Sequence, residues 1–294
     1  MPPLKKSVIV AFFTILLAAS AFAADDNKSK ARIRADIGAE FLNLNIAPFS
    51  TPKTLYTLHK PLKAFMEKHL ETNVVIGSAK DHATFLKHSL NGDFQLVLTP
   101  VHFVPHLADA GYKPIARYKK SLDLIIVVSK NSKANRLSDL KGKRIGLPDF
   151  LSIYCIVGAD ILEKREAELG DYKLVHQASH TSGLYAVTEG IVDAMITGTP
   201  PLRSLPMEIQ QKLITIDFDK TELPGLYMMA QTKLGEKALS EIQSTLLAFN
   251  NDVDGKSFME TMNYGGFIAA DERDIKAGEI YKPLVQKMLI EDGI

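Results

Sequence analysis

Residues 41–98 alternate between short apolar runs and longer amphipathic runs, and this alternation restricts the fold more than any other feature of the sequence. The apolar runs have the length and the bounding turn residues of strands, whereas the amphipathic runs repeat apolar side chains every three or four residues, as helices do. A strand–helix–strand–helix–strand order predicts a mainly parallel sheet covered by helices on both faces. The predicted strands are residues 41–47, 73–76 and 94–98, and the predicted helices are residues 55–70, 81–90 and 101–110.

A second α/β unit is predicted to begin near residue 130. Its central part is residues 137–162, which contain a helical turn, a buried strand at 144–147, a loop at 148–151 and a helix that begins at Ser152. In an open α/β sheet, small ligands bind where such a loop joins the end of a strand to a helix. The free N–H groups and the positive dipole at the helix start favour an anion or a polar head group. An ordinary strand–loop–helix connection is the alternative interpretation.

The remaining runs complete these two units. The apolar run at 122–129 predicts a strand leading toward a hinge between them, and residues 223–231 are predicted to rejoin the first sheet. Further strands are predicted at 172–176, 192–196 and 213–217, and further helices at 182–189, 237–250 and 281–289.

The composition gives no support for a nucleic-acid or membrane partner, and the length allows two α/β units. With 294 residues, of which 46% are hydrophobic, the chain is long enough for two α/β units with substantial cores. The formal net charge of +1 gives no electrostatic argument for a nucleic-acid partner or for an acidic membrane surface.

The N-terminus has the pattern of a secretory signal peptide. Lys5 and Lys6 precede an apolar stretch at 8–18, and small residues at Ala21 and Ala23 form a cleavage site. We expect residues 1–23 to be removed, residues 24–40 to form a leader or linker, and the mature protein to be periplasmic. An uncleaved membrane anchor is the alternative, although the apolar stretch is short for a span of roughly 20 residues.

Motifs for catalysis or for metal binding are absent from the sequence. It contains no GxSxG, HExxH, P-loop, GxGxxG or CxxC pattern, and its eight histidines are scattered. We therefore expect no cofactor and no metal. Cys155 is the only cysteine, so the chain has no internal disulfide; its thiol is either a small buried apolar group or a thiolate favoured by the helix start.

Six segments, in a consistent order over roughly residues 40–275, resemble the phosphonate-type periplasmic binding proteins. No single segment is very specific, but the series is. The segments are Tyr56 with Pro61 and Leu62, residues 94–103 (FQLVLTPVHF), 110–117 (AGYKPIAR), 137–144 (LSDLKGKR), 178–180 (ASH) with 190–194 (GIVDA), and 266–271 (GFIAAD).

The resemblance implies a type 2 periplasmic binding protein fold, in which two α/β lobes are joined by a two-strand hinge around a central ligand cleft. It places the hinge near residues 128–129 and 217–218. Lobe 1 would then comprise residues 41–128 and 219–294, and lobe 2 residues 129–218. Hinge motion would close the lobes on the ligand, and a membrane partner would recognise the closed form.

The resemblance also implies a set of ligand-binding residues at the ends of strands. The phosphonate-clamping loop of the family reads D-P-x-S-T-S-G; here Ser152 matches, whereas Ile153, Tyr154 and Cys155 replace the following Thr, Ser and Gly. Tyr154 is predicted to place its phenol in the cleft. His180 matches a Ser-His pair of the family and is predicted to face the cleft as a hydrogen-bond donor; a core histidine with its hydrogen bonds satisfied is the alternative. Helix capping is the alternative role for the Ser and Thr residues. The predicted ligand-binding residues are Ser50, Thr51, Thr99, His102, Ser152, Tyr154, His180 and Thr197.

Three functions remain open at this point. The first is a monomeric solute-binding protein that delivers a small, oxyanionic, phosphonate- or phosphate-like ligand to an ABC permease. The second keeps the fold but makes the protein a ligand-sensing input for a membrane receptor kinase. The third is an enzyme on the same fold, for which no nucleophile–base pair stands out.

Overall fold

The computed structural model describes residues 41–165, 170–216 and 222–291, and these form two mixed sheets flanked by helices. The predicted signal peptide and leader lie outside the described residues. The strands are β1 (Phe41–Ile46), β2 (Asn73–Gly77), β3 (Leu96–Thr99), β4 (Tyr112–Tyr118), β5 (Leu122–Asp123), β6 (Ile125–Ser129), β7 (Arg144–Leu147), β8 (Lys173–His176), β9 (Ala194–Thr197), β10 (Leu213–Ile216), β11 (Glu222–Leu223), β12 (Tyr227–Gln231) and β13 (Phe267–Ala269).

The first sheet has six strands in the order β13–β4–β12–β3–β1–β2. Strands β2, β1 and β3 are parallel, with Phe41 opposite Asn73 and Leu44 opposite Leu96, which confirms the parallel sheet predicted from the alternation. Strand β12 pairs antiparallel with both β3 and β4, so the chain returns to this sheet late in the sequence, as expected for residues 223–231. Strand β3 is buried along its whole length, because it lies between β1 and β12.

The second sheet has five strands in the order β10–β6–β9–β7–β8. Strands β9, β7 and β8 are parallel, whereas β6 pairs antiparallel with β9 and with β10. The carboxyl ends of β7 and β9 therefore lie side by side, and the loops that follow them meet at one edge of the sheet.

A short antiparallel pair of β5 and β11 carries the two chain crossings between the sheets. The run at 122–129 was predicted as one strand ending the first lobe, but it divides, and β6 joins the second sheet. The expected boundary at residues 128–129 is therefore corrected toward residues 122–123, since four residues of β6 are in register with β9. The expected second hinge at 217–218 lies outside the described residues.

The helices pack on the faces of both sheets. The helix at Pro52–Leu70 runs through Pro61 without a break, and the helix at Val253–Met262 and strand β4 are not among the predicted elements. The helices are α1 (Pro52–Leu70), α2 (His82–Leu90), α3 (Val104–Asp109), α4 (Ile153–Lys164), α5 (His180–Thr188), α6 (Thr199–Arg203), α7 (Met207–Gln210), α8 (Glu236–Ala248), α9 (Val253–Met262), α10 (Lys276–Glu279) and α11 (Lys282–Glu291), with short 3-10 turns such as Val101–Phe103.

One cluster of buried apolar side chains extends through both lobes. It includes Leu44 and Leu98 of the first sheet, and Ile145 and Ile196 of the second. A smaller cluster around Met195 lies on the other face of the second sheet. Within the described residues, no helix is both long and apolar enough to span a bilayer. The lobes are therefore in direct contact in this structure, and the functional site has to be sought along that contact.

Candidate functional site

The loop between β7 and α4 is shaped by the carboxylate of Asp149. One carboxylate oxygen accepts a hydrogen bond from Leu151 N at 2.9 Å, and the other accepts from His82 N, at the start of α2 in the other lobe, at 3.0 Å. The His82 ring lies 3.5 Å from the same carboxylate. Burial alone would raise the pKa of Asp149, but the hydrogen bonds and charge of His82, together with Leu151 N, lower it to about 2. Asp149 is thus an ionised group that joins the two lobes.

His180, at the first position of α5, is held between two hydroxyl groups. Its Nε2 lies 3.0 Å from Ser152 Oγ, and its Nδ1 lies 2.8 Å from Thr197 Oγ1 at the end of β9. Only 1% of its surface is exposed. Burial lowers the pKa of His180 to about 3, although the charge of Asp149 opposes this shift. The side chain is therefore a neutral imidazole at ordinary pH.

The neutral state of His180 controls what Ser152 can do. A neutral imidazole has one N–H donor and one acceptor nitrogen. When Thr197 donates to Nδ1, the Nε2–H donates to Ser152 Oγ, and the Ser152 hydroxyl proton is free to donate to a ligand. Thr197, His180 and Ser152 thus form a chain of hydrogen bonds that can end on an acceptor in the cleft.

Tyr154, in the first turn of α4, contributes a buried hydroxyl group without a hydrogen-bond partner among the described residues. Its ring meets the His180 ring edge to face, with the centroids 5.2 Å apart and an angle of 86°. The ring fits because residue 198 is glycine: a Cβ there would lie 2.3 Å from the Tyr154 hydroxyl oxygen. Burial, and then the nearby charge of Asp123, raise the pKa of Tyr154 well above its ordinary value, so its phenol remains a donor.

Five helices begin beside these residues, and they differ in how their first N–H groups are satisfied. In α6, Thr199 N donates to Asp123, and the next two residues are prolines, which have no N–H group. Thr51 caps α1 by accepting from Thr54 N, Asp81 caps α2 by accepting from Thr84 N, and Ser179 caps α5 by accepting from Ser182 N. Ser152, in the equivalent position of α4, makes no such bond. Cys155 N donates to Ser152 O at 2.9 Å, whereas the N–H groups of Ile153 and Tyr154 lack the partner that a helix interior would supply. The start of α4 therefore has uncapped N–H groups of the kind that bind anions.

A cavity of about 20 Å³ lies at this position between the lobes. That is near the roughly 10–15 Å³ that a single water molecule requires, so the two lobes fit closely here. The residues that line it are mostly apolar and include no Lys or Arg; they are Ala47, Phe49, His82, Pro100, Leu122, Ser152, Ile153, Tyr154, His180, Pro200, Pro201 and Leu226.

Four polar contacts hold the lobes together around the cavity. Ser50 Oγ of the first lobe lies 3.3 Å from both Thr181 Oγ1 and Ser204 Oγ of the second. His102 Nε2 donates to Leu151 O at 2.8 Å, and the Asp149 carboxylate joins the start of α2 as described above. All four contacts connect residues more than 40 positions apart in the sequence.

The structure brings some predicted site residues together and separates others. Ser152, Tyr154 and His180 line the cavity, Thr197 supports His180, and Ser50 lies at the contact between the lobes. Thr51 does not line the cavity, and its exposed hydroxyl caps α1.

Thr99 and His102 are both completely buried, and neither lines the cavity. Burial lowers the pKa of His102 to about 3, so it is neutral and can donate through Nε2 alone. In this structure that N–H donates to Leu151 O of the other lobe. The Thr99 hydroxyl has no hydrogen-bond partner among the described residues.

Several residues that line or support the cavity were not among the predicted ones. Asp149 had the clearest signal, since an Asp at a strand end often shapes the following turn through its own backbone contacts. His82 follows the recognisable cap Asp81, but its contact with Asp149 connects positions far apart in the sequence. Phe49, Pro200 and Pro201 form apolar walls, for which the sequence pattern gives no signal.

Cys155 is a buried thiol. Burial, with a smaller effect of the Asp149 charge, raises the pKa of Cys155 to about 12, so the thiol is protonated. This agrees with a small buried group and not with a thiolate. Among the described residues, no group of three or more His, Cys, Asp or Glu side chains is arranged to hold a metal ion.

Comparison with known proteins assigns the chain to a family. The family model described as "ABC transporter, phosphonate, periplasmic substrate-binding protein" matches residues 44–275. A curated relative, the phosphonates-binding periplasmic protein of Escherichia coli (strain K12), is 23% identical over 156 residues. That match covers 50% of this chain and 46% of the relative, so it spans less than half of the relative's length.

Solved structures of similar proteins have the same fold. A binding-protein component of an ABC phosphonate transporter from Pseudomonas aeruginosa matches with a TM-score of 0.69 and 17% identity, covering 80% of this chain and 83% of that one. PhnD1 from Prochlorococcus marinus (MIT 9301), in complex with methylphosphonate, matches with a TM-score of 0.72 and 18% identity, covering 84% and 99%. The chain belongs to the family of periplasmic substrate-binding proteins of phosphonate ABC transporters, and its fold is the predicted type 2 periplasmic binding protein fold.

Proposed function

We propose that this member of the phosphonate-binding family is a periplasmic solute-binding protein that captures a small phosphonate-like oxyanion between its two lobes and delivers it to an ABC permease. The proposal rests on membership of the family over residues 44–275, together with the chemistry of the cavity. Both point to a bound solute, and neither requires a chemical reaction.

The uncapped start of α4 is the observation that carries the proposal. Its first N–H groups, the Tyr154 hydroxyl and the Ser152 hydroxyl all lie within one turn of helix, next to a buried cavity. Convergent donors at the positive end of a helix stabilise an oxyanion, and excluding water strengthens each bond. The hydrogen bonds from Thr197 through His180 would orient Ser152 toward the ligand.

Binding requires the lobes to move apart and close again. A cavity of about 20 Å³ cannot hold a ligand of five or more heavy atoms, so the first step is separation of the lobes. The β5–β11 pair is the only pairing of strands that the described residues place at the crossings, and its few residues can absorb the rotation. The ligand would then replace part of the polar contact between the lobes.

The partner and the location follow from the family in the same way. We propose that an ABC permease recognises the closed form, and that export requires removal of residues 1–23. N-terminal sequencing of the protein recovered from the periplasm is expected to begin at Ala24. Crosslinking in membranes is expected to capture a permease; consistent capture of a receptor kinase instead would reject the delivery role.

Calorimetry with the purified mature protein tests the ligand class. We expect saturable binding of methylphosphonate and an increase in Tm that grows with its concentration, because a ligand that binds only the folded state stabilises it. Glycerol and a neutral amide serve as controls and are expected to have no effect. If no phosphonate, phosphate or phosphite binds at any pH between 5 and about 9, a range in which each carries a negative charge, the proposal fails.

A further inference from the structure

The charges around the cavity differ from those expected for a site that holds a doubly charged oxyanion. No Lys or Arg lines the cavity, and His180 is neutral above about pH 3. The Asp149 carboxylate lies behind the His82 wall and accepts hydrogen bonds from His82 N and Leu151 N. The carboxylates next to the lining residues are therefore negative charges: Asp149 contacts His82, and the charge of Asp123 acts on Tyr154.

The other titratable groups around Asp149 do not make the charge near the ligand position positive. His82 contacts the carboxylate directly at 3.5 Å, so any positive charge on its ring is matched by Asp149. Burial keeps both His102 and His180 neutral, although the charge of Asp149 favours their protonated forms. Cys155 is protonated, and Asp81 at the start of α2 pairs with Lys80 at 3.6 Å at the surface.

The donors that remain are neutral. They are the N–H groups at the start of α4, the Tyr154 hydroxyl and the Ser152 hydroxyl. Tyr154 is 5% exposed, and its hydroxyl has no hydrogen-bond partner among the described residues. Neutral donors and a helix dipole can stabilise one buried negative charge. A second charge is much more costly, since the cost of desolvation grows with the square of the charge, and here it would also face Asp149.

We propose that the cleft binds its oxyanion in the singly charged form, and that Asp149 is the residue that excludes the doubly charged form. The mostly apolar wall around Phe49, Ile153 and Pro200 adds a preference for a small apolar substituent on that ion. The ligand class is therefore an alkyl-bearing monoanion, and a dianion is admitted only with a proton. This inference rests on the proposed function, because it concerns the ligand of the same site.

The test is calorimetric titration of the mature protein with methylphosphonate below and above the second pKa of that ligand, in two buffers of different ionisation enthalpy. Above that pKa, the apparent Kd is expected to weaken about tenfold per pH unit, and one proton is expected to be taken up for each ligand bound. Asp149→Asn is expected to flatten this dependence and to tighten binding at high pH. Asp160→Asn removes an equal charge from the surface of α4, where Asp160 pairs with Lys164, and is expected to behave as wild type.

The outcomes separate this inference from the proposed function. Binding that stays constant or becomes tighter above the second pKa, without proton uptake, overturns the inference while leaving phosphonate binding intact. Wild-type pH dependence in Asp149→Asn overturns the role of Asp149. Absence of binding at every pH rejects the proposed function and the inference with it. The wild-type profile and the proton uptake decide the matter even if Asp149→Asn folds poorly.

Discussion

Two of the helices that begin beside the cleft with a hydroxyl-bearing cap residue, α1 and α4, use that residue differently. At α1, Thr51 is exposed and accepts a hydrogen bond from Thr54 N at 3.2 Å. At α4, Ser152 is buried, makes no cap bond and contacts His180 at 3.0 Å instead. At the first helix start a side chain of the same segment accepts a hydrogen bond from a helix N–H group. At the second, no side chain caps the helix N–H groups, which leaves them for another molecule. The difference teaches that a Ser or Thr at a strand–helix junction leaves the helix start available to a ligand only when its hydroxyl is hydrogen-bonded to another residue instead of capping the helix.

The largest predicted effect concerns acid stability, and it compares buried histidines inside and outside the site. Burial lowers the pKa of His59 to about 4, and the pKa values of His102 and His180 to about 3. The unfolded chain binds these protons near pH 6.5, so the stability is complete above that pH and is lost as the pH falls toward 3–4. Each histidine is expected to reduce the free energy of unfolding by roughly 1–2 kcal/mol between pH 7 and 5.

Denaturation curves in urea at several pH values measure this loss. His59→Phe keeps the aromatic contacts with Phe49 and Phe258 and is expected to make the pH dependence shallower. His88→Ala, which alters an exposed histidine paired with Asp93, serves as the control and is expected to retain the wild-type slope. A His59→Phe slope equal to that of the wild type would contradict the assignment of a buried neutral histidine.

The next prediction tests the comparison of the two helix starts by removing His180, which holds the Ser152 hydroxyl away from the cap position. In His180→Ala, the hydrogen bonds to Ser152 and Thr197 are lost, and methylphosphonate affinity is expected to fall at least about tenfold. His88→Ala is again the control, and calorimetry gives the Kd. Wild-type affinity in a folded His180→Ala protein would show that Ser152 acts without this support.

A smaller effect is expected at the unpartnered phenol. Tyr154→Phe removes only the hydroxyl group, so we expect affinity to fall several-fold while the Tm stays the same or rises, since a buried donor without a partner is removed. Tyr56→Phe, at an exposed position of α1, serves as the control. A fall in Tm without a change in affinity would mean that the hydroxyl stabilises the fold and does not contact the ligand.

The sequence predicted local elements well wherever one pattern dominated. The parallel order of β1, β2 and β3 followed from the alternation of apolar runs, and the start of α4 followed from the loop that ends at Ser152. The prediction from sequence was wrong where neighbouring apolar runs were continuous. Residues 122–129 form one apolar stretch, and only the antiparallel partners of β6 reveal that the chain changes sheets within it.

The candidate site was predictable for residues at strand ends and not for contacts between lobes. Ser152 and His180 could be singled out from their motifs, but their hydrogen bond could not be derived from either segment alone. The contact of Asp149 with His82 joins positions 67 residues apart and depends on how the lobes meet. Local patterns determine which groups end a strand, whereas the tertiary fit determines which of those groups remain free.

The most direct measurement of the central claim is the same truncation at both helix starts. Thr51→Ala is expected to reduce the free energy of unfolding by about 1 kcal/mol, as the loss of a cap does, with methylphosphonate affinity unchanged. Ser152→Ala is expected to weaken that affinity about tenfold, and also to lower the free energy of unfolding, because the buried Nε2–H of His180 loses its acceptor. Calorimetry and urea denaturation on the two variants provide both numbers. Loss of stability with unchanged affinity in Ser152→Ala, or weaker binding in Thr51→Ala, would contradict the account.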